Sequence, residues 1–125
     1  MQKEVQAIDI IRQAAILTVS NYGVGDPLGE HMLERLTDTA DTIGSHFEVF
    51  YAFKSYEKTL KELKEDNATA PMRRITEADA HLTRDIITRL CRETTDPDMI
   101  MDYIETADYI SDCCVRMSAE HHATD

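Results

Sequence analysis

Two sets of carboxylates recur along the chain at helical spacing. Glu34, Asp38 and Asp41 stand at i, i+4 and i+7, and Glu105, Asp108 and Asp112 at i, i+3 and i+7. In a helix each set points one way, opposite the apolar stripe of its own element. Like charges one turn apart weaken a helix by a few tenths of a kcal/mol per pair, roughly, so two such stripes ask for a counterweight. A hard divalent or trivalent cation held between carboxylates would supply one, and iron, zinc and manganese are the candidates. The plainer reading is a solvated face, because a chain with 24 acidic residues holds such triplets by chance.

The remaining reactive side chains point to no catalytic site. His31 and His46 flank the first stripe, yet the chain has no Glu-x-x-His pair, which a ferritin-like di-iron site needs on two helices. Cys91, Cys113 and Cys114 are odd in number and two are adjacent, which fits reduced thiols better than a disulfide framework. Cys91 and Cys114 fall on or near apolar faces and read as small core residues. His81 falls on a polar flank, and His121-His122 lie in a tail, 121–125, expected to fray. No C-x-x-C, HExxH, GxSxG or glycine-rich phosphate loop is present. A non-enzymatic protein is expected, with no catalytic or cofactor-binding residue assigned.

The elements that carry these residues are helices. Of the 125 residues, 42% are hydrophobic and 6% aromatic, with no Trp, four Gly and three Pro, a mix that favours helices over sheets. A first helix is expected from Gln2 to Tyr22, with Val5, Ile8, Ile11 (or Ile10), Ala15, Val19 and Tyr22 on one face. Gly23 to Pro27 break it, Asp26 serving as the next cap and Pro27 opening the next first turn. A long second helix is expected over 27–66. Its seam runs Leu33, Leu36, Ala40, Ile43, Phe47, Phe50, Phe53, Tyr56, Leu60 and Leu63, and it would approach ~60 Å. Asn67 to Pro71 read as a loop. A third helix follows over about 75–93, turning Ile75, Ala78, Leu82, Ile86 and Leu90 inward. Asp96-Pro97 restarts the chain into a fourth, about 97–120, with Ile100, Tyr103, Ala107, Ile110, Cys114 and Met117 inward. The fold expected is all-α, one domain, an up-down bundle of about four helices. The distal seam, Phe53 to Leu63, would outreach its neighbours, and a bare stripe invites a second copy, so a homodimer is expected.

Charge narrows the partners. The formal net charge of −11 repels phosphate backbones, which argues against nucleic acid and for cations or basic protein surfaces. The alternating Lys58, Lys61, Lys64 and Glu57, Glu62, Glu65 read as a solvated helix surface. No run of 18 apolar residues is present, so no membrane span is expected, and Met1-Gln2-Lys3-Glu4 lacks the layout of a signal peptide. Cytoplasmic placement follows as the expectation.

The stretch Leu33-Glu34-Arg35-Leu36-Thr37-Asp38-Thr39-Ala40-Asp41-Thr42-Ile43 resembles the Ile-Glu-Arg-Ile-Gly-Asp-His-Ala helix of PhoU-like phosphate-uptake regulators. Thr76-Glu77-Ala78-Asp79, Ile86-Ile87-Thr88-Arg89-Leu90, Asp96-Pro97 and Ile104-Glu105-Thr106-Ala107-Asp108-Tyr109-Ile110-Ser111-Asp112 are similar, in that order, to relatives that accompany phosphate permeases. The resemblance spans about Leu33 to Met117. It implies a helical bundle with Glu/Asp-x-x-x-Asp motifs that carry metal on the bundle surface. Those motifs fall on Glu34/Asp38 and Asp108/Asp112, with Asp41 and Glu105 beside them. Thr37 stands where the family has Gly, Glu105 to Asp108 is one residue short of the motif, and the family's chains are nearly twice as long. Three functions compete: a regulatory or adaptor bundle that binds metal and docks to a partner protein, a plain dimeric interaction module without metal, and a small metal-dependent hydrolase of phosphorylated substrates.

Overall fold

A glutamate with positive φ decides the architecture. Glu48 sits at φ 56°, and around it the amide of Val49 reaches the carbonyl of Gly44 at 2.8 Å while the amide of Glu48 reaches that of Ser45 at 3.3 Å. This pair of bonds is a Schellman C-cap, which ends a helix and satisfies its last carbonyls. The long helix expected over 27–66 is therefore two helices, and the described residues form five helices where about four were expected.

The computed structural model describes residues 2–66 and 72–124, with side chains described as far as Ser118. The helices are α1 (Lys3–Tyr22), α2 (Pro27–His46), α3 (Phe50–Asp66), α4 (Glu77–Glu93) and α5 (Pro97–Thr124), and no strand occurs among the described residues. The loop expected over Asn67 to Pro71 lies outside the described residues. α5 runs on through residues 121–124, where fraying was expected.

The caps are the ones the sequence announces. Asp26 Oδ1 accepts from the amides of Leu28 and Gly29 at 3.0 and 3.1 Å, with Pro27 at the first helical position. Asp96 Oδ1 accepts from the amide of Asp98 at 2.9 Å ahead of α5. α4 starts later than expected because Thr76 and Asp79 form a capping box, at 3.1 and 3.0 Å.

α1 is the axis of the molecule. It packs against α2, α3, α4 and α5, so its burial is not confined to one face: of residues 7–18 only Asp9 and Arg12 escape the core. α2 and α3 fold back on each other as an antiparallel hairpin. Thr37 Oγ1 and the Tyr56 hydroxyl meet at 2.9 Å, and Lys64 reaches Glu30 at 3.4 Å at the far end. The hairpin buries Tyr56 and Leu63, Tyr56 within the same core cluster as the inward residues of α1, with Phe53 and Leu60 packed against that cluster. The stripe on which a second copy was expected to settle is thus covered from within. Two further core assignments are corrected. Phe50, at the start of α3 beyond the break, is 58% exposed, and Ala78, in the first turn of α4, faces solvent while Ala80, Thr83 and Ile87 turn inward.

Arg73 anchors the chain as it enters α4. Its amide donates to Gln13 Oε1 at 2.7 Å, and its guanidinium reaches Asp9 at 3.1 Å and Asp79 at 2.9 Å. Burial alone would raise the Asp9 carboxyl, but hydrogen bonds and charge from Arg12 and Arg73 outweigh it and hold Asp9 below the usual range.

Candidate functional site

The first acidic stripe stands on the outer face of α2, as its spacing requires. Glu34, Asp38 and Asp41 are all exposed. The cap at Asp26 fixes where the helix begins, and the inward Leu33, Leu36, Ala40 and Ile43 fix its rotation. Among the described residues none of the three carboxylates has an ion-pair partner.

Between them and the core lies Arg35, half-buried. Its Nε donates to His31 Nε2 at 3.0 Å. Its other end bridges to α5, pairing with Asp102 and, at 2.9 Å, with Glu105. Asp102 and Glu105 are thus the α5 carboxylates that come to α2, and Asp102 also bears on Asp38. Partial loss of water first, and then the charges of Glu34, Asp102 and Asp41, raise the Asp38 carboxyl above its ordinary range. Carboxylates from two helices therefore bear on one proton site.

The second stripe is divided by what it faces. Glu105 turns to Arg35 of α2, whereas Asp108 turns the other way and meets Arg84 of α4 at 2.8 Å. Asp112 is exposed and has no ion-pair partner among the described residues. Sequence reading passed over Asp102 and Arg35. The signal was present, since Asp102 precedes Glu105 by three and Arg35 sits inside the first stripe, but which carboxylate faces α2 depends on how the helices are rotated against each other.

Two shallow clefts meet at Asp38. One, of about 250 Å³, is lined by Asp38, Asp41, Thr42, Met99, Asp102 and Tyr103. The other, of about 590 Å³, is lined by Glu30, His31, Glu34, Asp38, Leu60 and Lys64. A larger cleft of about 700 Å³ lies elsewhere, between α1, α3 and the start of α4. Its charged groups, Asp9, Arg12, Arg73 and Asp79, pair with one another, so it offers a ligand no unsatisfied charge.

The six carboxylates do not close around one ion. Among the described residues no group of three or more His, Cys, Asp or Glu side chains is placed to hold a metal. The thiols are free, and burial pushes Cys113 up to about 11 and raises Cys91 and Cys114, so none is an activated nucleophile. Comparison with protein-family models, with curated proteins and with solved structures finds no match to this chain. What the site can do is electrostatic: it presents a negative face, built from α2 with Asp102 behind it, to whatever cation or basic surface approaches. No helix among the described residues is long and apolar enough to cross a membrane.

Proposed function

We propose that this chain is a non-enzymatic regulatory or adaptor bundle, PhoU-like, that docks onto a partner protein through the acidic face of α2. The observation that carries the reading is geometric: Glu34, Asp38 and Asp41 stand exposed on one face of α2 with no ion pair among the described residues, and Asp102 of α5 lines the same cleft as Asp38 and Asp41, where partial burial and this crowding raise the Asp38 carboxyl. Such a face is unfavourable alone and is relieved by a basic surface, which is how charge complementarity steers and registers a complex. The motifs at Leu33 to Ile43 and Ile104 to Asp112 support the PhoU-like part, and the antiparallel α2–α3 hairpin supports an up-down bundle.

The test is zero-length carboxylate-to-lysine crosslinking in an extract of cells that make the protein. Crosslinks from Glu34, Asp38 and Asp41 to lysines of one other protein are expected. Crosslinks spread evenly over all the acidic residues would sink the reading, and crosslinks only to a second copy would leave the plain dimeric module. Elemental analysis decides the metal. Stoichiometric iron, zinc or manganese that is lost in Glu34→Ala/Asp108→Ala would return metal binding to the function.

A further inference from the structure

A single guanidinium serves the acidic seam between α2 and α5. Nη1 of Arg35 pairs with Asp102 and, at 2.9 Å, with Glu105, so one nitrogen lies between two carboxylates of α5. Nε of the same group donates to His31 Nε2 at 3.0 Å, which fixes it at a third point. The Arg35 side chain is 21% exposed, against 50% for Asp102 and 45% for Glu105, so the cation lies beneath its anions. These are the ion pairs that join α2 to α5 among the described residues. Elsewhere the seam is bridged by neutral hydroxyls, Thr39 to Thr106 at 3.2 Å and Tyr103 to Thr42 at 3.5 Å. Lys64, the cation of the neighbouring cleft, is paired with Glu30. Glu34, Asp38 and Asp41 of α2 and Asp102 and Glu105 of α5 thus face one positive charge that belongs to the chain.

We infer that Arg35 is the resident cation of this seam, holding carboxylates of α5 against α2 as a bound divalent ion would, and that its presence keeps such ions out. A guanidinium suits the task because it is always charged and forked, and it is delivered by the fold with no ion to strip of water. The carboxylates are divided by it. Asp102 and Glu105 hold the helices together, while Glu34, Asp38 and Asp41 are left to the outside. This is also why Glu105, one of the residues that spacing offers to a metal, is not free to take one. With the guanidinium gone, Asp38, Asp102 and Glu105 could turn oxygen ligands from two helices onto a hard cation. The cleft of about 250 Å³ that Asp38, Asp41 and Asp102 share is the way in.

The experiment titrates Mn²⁺ into the full native chain and into Arg35→Gln, following heat by calorimetry and free ion by electron paramagnetic resonance. Arg35→Gln is expected to bind a single Mn²⁺ at least tenfold, roughly, more tightly than the native protein. Mn²⁺ should raise the urea midpoint of Arg35→Gln and leave that of the native chain where it was. Arg35→Lys keeps the charge and should gain no affinity. Adding Asp102→Asn/Glu105→Gln to Arg35→Gln should abolish the gain. Equal affinity of the native chain and Arg35→Gln overturns the inference, as does a gain that survives the loss of Asp102 and Glu105. Unfolding of Arg35→Gln that Mn²⁺ does not reverse overturns it too, since the arginine would then supply more than a cation.

Discussion

Thr18 Oγ1 and the hydroxyl of Tyr109 meet at 2.6 Å where α1 and α5 pack together, in a place water does not reach. Thr18 donates to the carbonyl of Ala14 at 2.7 Å, so the Tyr109 hydroxyl donates to Thr18. Burial, ahead of the hydrogen bond that opposes it, pushes Tyr109 up to about 12, and Tyr56, bonded to Thr37, likewise to about 12.

The alkaline limit of the fold follows from these two hydroxyls. A phenol in the unfolded chain ionises near about pH 10, while both of these keep their protons further up. Their contribution is complete below that value and is lost as pH rises through about 12. Unfolding midpoints measured against pH should fall across this window, and Tyr56→Phe/Tyr109→Phe should flatten the fall. At neutral pH Tyr109→Phe alone should lose about 1 kcal/mol. An unchanged alkaline slope in the double variant would assign the loss to other groups.

The turn at Glu48 makes an opposite prediction, a gain. A side chain at φ 56° carries a Cβ that the left-handed region disfavours, and a Schellman cap prefers Gly there. Glu48→Gly should raise the melting temperature by about 3–5 °C, corresponding to roughly 1 kcal/mol. A lowered melting temperature would mean that the Glu48 side chain contributes more than its backbone loses.

Close helix contact depends on Gly29. A Cβ there would stand 2.8 Å from Cβ of Tyr22, an atom fixed to the α1 backbone and unable to swing aside. Gly29→Ala should therefore force α1 and α2 apart and lose about 1–3 kcal/mol in chemical denaturation, despite the better helix propensity of Ala. Gly23→Ala offers the contrast. Nothing lies within 4 Å of its added Cβ, and only its φ of 83° resists the change.

Asp38 should be better replaced than kept when stability alone is measured. Its carboxyl is raised in the fold, so the folded state is favoured by the proton and loses that advantage as pH rises through the carboxylate range. Asp38→Asn should raise the melting temperature at neutral pH and low salt by about 1–3 °C, with the gain shrinking as salt screens Glu34, Asp41 and Asp102. A gain that ignores salt would point away from charge repulsion.

The caps and the helical class were legible because Asp26-Pro27 and Asp96-Pro97 carry their own punctuation. The break at Glu48 was not, because the residue that takes the left-handed conformation is neither Gly nor Asn. The apolar seam also continues through Phe47, Phe50 and Phe53 as if nothing happened. α1 read as one-faced because a periodic subset such as Ile8, Ile11 and Ala15 can be picked from a helix that is apolar nearly all round. The outward placement of Glu34, Asp38 and Asp41 could be read from a wheel. The approach of Asp102 to Asp38 and the departure of Asp108 toward Arg84 could not, since both depend on how α5 is rotated between α2 and α4.

The central position of α1 has a consequence for how the chain is made. It precedes all four of its packing partners, so it leaves the ribosome before any of them exists. Until α2 and α3 follow it out, Ile8, Ile10, Ile11, Ile16 and Leu17 lack the helices they pack against. A nascent chain with such a segment is client material for a holding chaperone, and a stop anywhere before α5 leaves a fragment whose most apolar helix stays uncovered on one side.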